Sequence, residues 1–203
     1  MISRMILATH NLHKVEELRQ MLSDFPIDVC SMRDFPGIPE PEETGSTFAE
    51  NAAIKATAAS LFTGLPALAD DSGICVDALD GAPGIFSARW AGLGSNADDW
   101  INKTLDLLKD VTESQRTGRY VCALCFSSAS GDVIAETEGT MEGRIGTSRL
   151  GTGGFGYDPI FLVAPDFTLT AAQLTSEEKH AISHRGVALR KMLDVIRTTN
   201  LQG

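Results

Sequence analysis

The sequence predicts an α/β fold built on a mixed sheet, and two observations carry that prediction. Strand-like and helix-like patterns intermix along the 203 residues rather than falling into separate blocks, which points to a sheet flanked by helices. In the middle of the chain, residues 119–127 and 133–144 read as consecutive strands joined at "SASGD". That is a hairpin, and it excludes a purely parallel sheet.

The elements follow in order. "MILA" (5–8) reads as a buried strand ending at Thr9-His10-Asn11. A helix comes next, with Val15, Leu18, Met21 and Leu22 on one face and Glu16, Glu17, Arg19 and Gln20 elsewhere. Residues 34–45, "DFPGIPEPEETG", carry three prolines and read as loop. Thr47 and Glu50 form a capping box that opens an Ala-rich helix running to about Ser60. Strand character returns at 67–70 and again at 73–78, and "DGAPG" is a turn. Asp98 and Asp99 sit in the first turn of a helix with Ile101, Leu105 and Leu108 inward and Lys109 near its end, as the helix dipole favours. "GTGGFGYDPIFLV" is a glycine loop entering a strand, and after Ser183 the residues Leu189, Leu193 and Ile196 recur at helical spacing.

The chain is long enough to bury a substantial core, so a single domain over 1–203 is expected. No apolar run approaches the roughly 20 residues that cross a bilayer. The apolar stretch at the N-terminus is too short for a secretory segment. A cytoplasmic protein without membrane contact is therefore expected. The net charge of −10 argues against binding nucleic acid polymers. A small anionic ligand needs local Lys/Arg or a metal to offset that field. Cys122 and Cys125 spell C-x-x-C inside a strand, where residues three apart face opposite ways. They read as reduced core cysteines, not a metal grip.

Four segments could carry chemistry. "ATHNLHK" sets a strand-to-helix turn whose amides, Thr9, Asn11 and Lys14 suit a phosphate; an ordinary strand-to-helix turn has the same look. In "ADDSG" the two aspartates point to opposite faces, so one can serve a site while the other holds the turn. "GTGGFGYDP" puts Phe155 and Tyr157 on one side of an extended stretch and Asp158 on the other, either to stack on a nucleobase or to plug a hairpin. "SEEKHAISHRG" brings Lys179, His184 and Arg185 together, as a binding cluster or as a surface one. Two cations in a helix's first turn oppose its dipole and call for something anionic.

Taken in order, "THNLHK", "EETGSTFAENAAIKA", "ADDSGICVDALDGAPGIFSAR", "GTGGFGYDPIF" and "EEKHAISHRGVAL" resemble the inosine triphosphatase family, the dITP/XTP pyrophosphatases, from about residue 5 to 196. The resemblance implies an elongated α/β fold: a long twisted mixed sheet flanked by helices, in two lobes with a central active-site cleft. It implies hydrolysis of ITP, dITP and XTP to the monophosphate and pyrophosphate, a requirement for Mg²⁺, and a homodimer. Carried onto this sequence, it assigns Thr9, His10, Asn11, Leu12, His13 and Lys14 to the triphosphate, and Glu43 and Asp71 to the metal, with Asp71 also the proton acceptor. It places Lys55 and Ser72 on the phosphate side, and Phe155, Gly156, Tyr157, Asp158, Lys179, His184 and Arg185 on the nucleotide. The family commonly shows T-G-N-x-G-K in the first motif; here both small positions are histidine, His10 and His13.

On this reading water attacks the α-phosphorus under control of Asp71 and the ion. A free aspartate, with a pKa of about 3.9, is a weak base on its own. A donor from Arg185 or protonated His184 facing the 6-oxo group of hypoxanthine or xanthine would exclude adenine, which presents an amine there. Two rival readings are a Maf-like pyrophosphatase acting on other modified nucleotides and a non-catalytic nucleotide-binding regulator.

Overall fold

A computed structural model describes residues 3–200. Six strands form one sheet in the order β2-β1-β3-β4-β5-β6: β1 Arg4–Leu7, β2 Asp28–Ser31, β3 Ala67–Val76, β4 Thr117–Ser127, β5 Val133–Ile145 and β6 Phe161–Val163. Strand β1 runs parallel to β2, with Ile6 opposite Cys30, and parallel to β3, with Ile6 opposite Ala67. Strand β5 runs antiparallel to β6, with Arg144 opposite Leu162. The predicted mixed α/β sheet is therefore present. Among the described residues five α-helices accompany it: α1 Leu12–Leu22, α2 Phe48–Thr63, α3 Ala97–Leu107, α4 Ser176–Ile182 and α5 His184–Asn200. Among the described residues no helix is long and apolar enough to cross a membrane.

Packing divides the chain into two compact units. The first takes the residues up to Asp71, Cys122–Gly139 and those from Arg185 on; the second takes Ser72–Val121 and Thr140–His184.

In the first unit the period-2 alternation of the strands builds two cores. Met5, Leu7, Leu68, Cys122, Leu124 and Phe126 point to one face and pack on Val15, Leu18 and Leu22 of α1 and on Leu189, Met192 and Ile196 of α5. Ile6, Ala67, Ala69, Ala123 and Cys125 point the other way and meet Ala52, Ala56 and Ala59 of α2. That alanine stripe lets α2 lie close against the sheet. Cys122 and Cys125 thus belong to opposite faces as free, buried thiols, in line with the strand reading.

In the second unit Ile74, Val76, Ile101, Leu108, Tyr120, Met141, Ile145, Tyr157 and Phe161 share one core. Arg116 is buried there, its guanidinium donating to the carbonyls of Leu108 (2.7 Å), Val111 (3.0 Å) and Gly146 (3.0 Å).

Two local expectations change. Residues 67–76 form one unbroken strand instead of two, and Asp77–Leu79 is a 3-10 turn. Helix α2 extends to Thr63, where Gly64 at φ 67° closes it in the left-handed conformation that glycine adopts without a Cβ penalty.

Candidate active site

The alternation of β3 sends its two aspartates to different helices. Asp70 lies on the α1/α5 face and Asp71 on the α2 face.

The Asp70 carboxylate is fully buried. Its Oδ1 pairs with the Lys14 ammonium of α1. Its Oδ2 accepts from Arg185 Nε of α5 at 2.9 Å and from the Cys122 thiol at 3.0 Å. Arg185 in turn pairs with Glu17 on α1. Burial pushes the Asp70 carboxyl up, but Arg185 and Lys14 outweigh it and hold the group well below the usual carboxylate range. Asp70 therefore holds no turn, contrary to the sequence expectation. It is the anion that meets Arg185 in the first turn of α5.

At the start of α1, Asn11 caps the helix and accepts from the amides of His13 (3.0 Å) and Lys14 (3.4 Å), while Thr9 Oγ1 accepts from Asn11 N at 3.2 Å. The turn exists as predicted, yet three of its amides already have an acceptor. His10, Leu12 and His13 are exposed on it.

On the α2 face, Lys55 Nζ donates to Asp71 Oδ1 at 2.8 Å and to Glu43 Oε1 at 3.1 Å. Asn51, one helical turn before Lys55 and so on the same side of α2, approaches Asp71 Oδ2 with its Nδ2 at 3.5 Å and takes the Gly45 amide at 2.9 Å. A Cβ at Gly45 would lie 2.7 Å from Asn51 Oδ1 and from Glu50 Cβ, so this approach requires glycine. The capping box adds Ser46 N and Thr47 N onto Glu50 Oε2, at 2.6 and 3.2 Å, which pins the acidic loop to the start of α2.

Burial pushes the Asp71 carboxyl above its ordinary value, more than Lys55 and Lys14 pull it down. Burial also opposes the charge on Lys55, but the carboxylates of Asp71, Asp70 and Glu43 more than offset it, and its pKa rises. Two carboxylates thus converge on one positive centre. Two carboxylate ligands, with water and substrate phosphates completing the shell, are what Mg²⁺ usually takes from a protein. The donor set fits that ion. Among the described residues no group of three or more His, Cys, Asp or Glu side chains is placed to hold a metal without such help.

The remaining predicted residues lie in the second unit, with Ser72 half-buried on β3. Phe155–Asp158 is not extended: Gly154 and Gly156 adopt φ 68° and 63°, and Asp158 opens a 3-10 turn. A Cβ at Gly154 would collide with the Asp158 carboxylate. Tyr157 is buried, stacks near Trp100 with ring centroids 6.0 Å apart, and donates its hydroxyl to Ser87 O at 2.8 Å. Of the two sequence readings, a buried plug describes it and a ring free to stack on a base does not. Phe155 instead carries the Lys179 ammonium over its ring at 4.9 Å, and Lys179 Nζ reaches Asp158 Oδ2 at 2.8 Å. His184 stacks on Tyr120, with centroids 4.8 Å apart and planes at 11°.

Asp70, Glu17 and Asn51 bond to the predicted residues but were not assigned with them from the sequence. Helical spacing could have found two of them, because Glu17 lies three after Lys14 and Asn51 four before Lys55.

A parallel β1–β3 frame and two carboxylates that share one lysine define this as an α/β protein with a buried charged cluster at strand β3. The chain belongs to the Ham1 family, whose model matches residues 5–195. It is 52% identical over 189 residues to the dITP/XTP pyrophosphatase of Exiguobacterium sp. (strain ATCC BAA-1283 / AT1b), covering 93% of this chain and 94% of that one. It is 48% identical over 197 residues to the dITP/XTP pyrophosphatase of Escherichia coli (strain K12), covering 97% and 99%. Among solved structures it matches a HAM1 protein from Coxiella burnetii with a TM-score of 0.87 and 42% identity, over 98% of this chain and all of that one. The resemblance read from the motifs is borne out.

Proposed function

We propose that this chain hydrolyses ITP, dITP and XTP to the nucleoside monophosphate and pyrophosphate, clearing them from the nucleotide pool. Relatives half identical over nearly the whole chain carry the name dITP/XTP pyrophosphatase, and that supports the substrate class. The observation that carries the chemistry is the Lys55 ammonium held between Glu43 and Asp71, with the Asp71 carboxyl pushed up by burial.

Glu43 and Asp71 would hold Mg²⁺. When bound, the ion supplies positive charge against the charge that develops on departing pyrophosphate. Asp71 orients the attacking water and accepts its proton as the new bond forms to the α-phosphorus and the bond to the bridging oxygen breaks. Lys55, Lys14, Thr9 and Asn11 offer cations and neutral partners to the phosphates. His10, His13 and Ser72 are assigned to the phosphates on the family resemblance alone.

The base end is assigned to Phe155, Gly156, Asp158, Lys179 and His184 on the family resemblance. Arg185, 1% exposed and paired with Asp70 and Glu17, is better suited to fixing its neighbours than to reading a base. We also propose that the chain acts as one catalytic domain, as a homodimer, in the cytoplasm.

A pyrophosphate-release assay with ITP, XTP, GTP and ATP tests the reading. Fast release from ITP and XTP, slow release from GTP and ATP, and loss of all release on chelation with EDTA are expected. Equal rates for ITP and ATP, or rates untouched by EDTA, would contradict it.

A further inference from the structure

The second unit holds a buried ring that none of the assignments above uses. Tyr120 is 7% exposed. Its hydroxyl donates to Asp158 Oδ1 at 3.2 Å. The other oxygen of that carboxylate, Oδ2, accepts from the Phe155 amide and the Lys179 ammonium, each at 2.8 Å. The same phenol ring lies nearly parallel to the His184 imidazole, 4.8 Å away, and packs at 49° against Phe161, 4.5 Å away.

We infer that Tyr120 is a positioning residue for purine selectivity: it sets the plane of the His184 ring and the rotation of the Asp158 carboxylate together. The inference rests on the reading of His184 and Asp158 as nucleotide-binding residues. A stacked pair can slide but resists tilting, so the orientation of the phenol becomes that of the imidazole. Phe161 and the hydroxyl's bond to Asp158 fix the phenol in turn. On the far side of the carboxylate, Lys179 and the Phe155 amide hold only one oxygen, so rotation about that oxygen is stopped by Tyr120.

Hydrogen bonds weaken steeply as their angles close. A base is discriminated by whether its polar edge meets a correctly aimed partner. A His184 ring or Asp158 carboxylate turned out of line therefore costs selectivity among purines before it costs the chemical step at the phosphate.

The test compares wild type, Y120F and Y120L in kcat and KM for ITP and GTP, with calorimetric binding of IMP and GMP alongside. Y120F keeps the stack and loses the hydroxyl bond. KM for ITP should rise roughly fivefold, the worth of one hydrogen bond, with kcat within about twofold. Y120L loses both contacts, and the ITP-to-GTP ratio of kcat/KM should fall by about tenfold or more. In a D158A background Y120F should change neither quantity further, since the acceptor is already gone.

An unchanged ITP-to-GTP ratio in both variants, with only the melting temperature lowered, would overturn the inference. Should Y120L fail to fold, Y120F and its D158A cycle decide alone. A wild type that hydrolyses neither nucleotide defeats the proposed activity. The IMP-to-GMP binding ratio then decides on Tyr120 separately, and a wild type that binds both equally overturns it.

Discussion

Replacing Asp70 by Asn keeps the size of a fully buried side chain and removes its charge. The carboxylate lies at 0% exposure between Arg185 Nε, 2.9 Å away, and the Lys14 ammonium, with the Cys122 thiol at 3.0 Å. Taking one partner from a buried ion pair costs about 3–5 kcal/mol, because the other charge is left uncompensated. Arg185 keeps Glu17, and an amide oxygen can still accept one hydrogen bond, so the lower end, about 3 kcal/mol, is expected. A domain is stable by only about 5–15 kcal/mol. At about 2–4 °C per kcal/mol for a chain of this size, D70N should melt about 6–12 °C lower. Urea denaturation at pH 7, followed by circular dichroism, measures the change. A loss below about 1 kcal/mol with an unchanged slope would show that Asp70 is not the counter-ion of these cations. The neighbouring D71N supplies the contrast: Lys55 keeps Glu43 at 3.1 Å and burial opposes the Asp71 charge, so the cost should be smaller than that of D70N.

Other consequences are equally open to measurement. Gly45→Ala forces a Cβ against Asn51 Oδ1 and should lower turnover by displacing Asn51 and the acidic loop; unaltered turnover would show that the close approach is not needed. Asp77 accepts from Thr117 Oγ1 at 2.7 Å and from Arg119 at 3.0 and 3.1 Å, and these bonds lower its pKa. A depressed folded-state pKa contributes stability above the unfolded value of about 3.9 that is lost as pH falls through the folded one. D77N should therefore cost up to about 1 kcal/mol at pH 7, less in high salt, and the gap to wild type should close near pH 2; a gap that persists in acid would contradict the ion-pair origin. Burial pushes the Cys122 thiol well up and Cys125 to about 12. Iodoacetamide at pH 8 should thus label half-buried Cys75 while sparing both until urea is added. Mass spectrometry showing Cys122 labelled as fast as Cys75 in the native protein would be the contrary result.

Local chemistry made much of this legible. The Thr47–Glu50 capping box, the Ala-rich helix it opens and the apolar face of α1 are encoded within a turn or two of each residue, and each formed where predicted. The opposite orientation of Asp70 and Asp71 also followed from the period of a strand. What each would meet did not, because Arg185 lies 115 residues beyond Asp70 and only packing brings α5 to that face. With two cations to meet it, Asp70 could stay inside a continuous strand instead of ending one. Phe155–Asp158 was misread because glycine leaves φ undetermined by sequence. Gly154 and Gly156 take the left-handed region, which turns Tyr157 into the core and Asp158 toward Lys179.

The turnover of D71N on ITP with Mg²⁺, measured on protein whose melting temperature matches wild type, bears most directly on the division of labour between the two aspartates. Loss of several orders of magnitude in kcat, with the fold intact, is expected of the residue that accepts the proton from water. Near-normal turnover in that folded variant would mean that Asp71 neither takes the proton nor seats the ion.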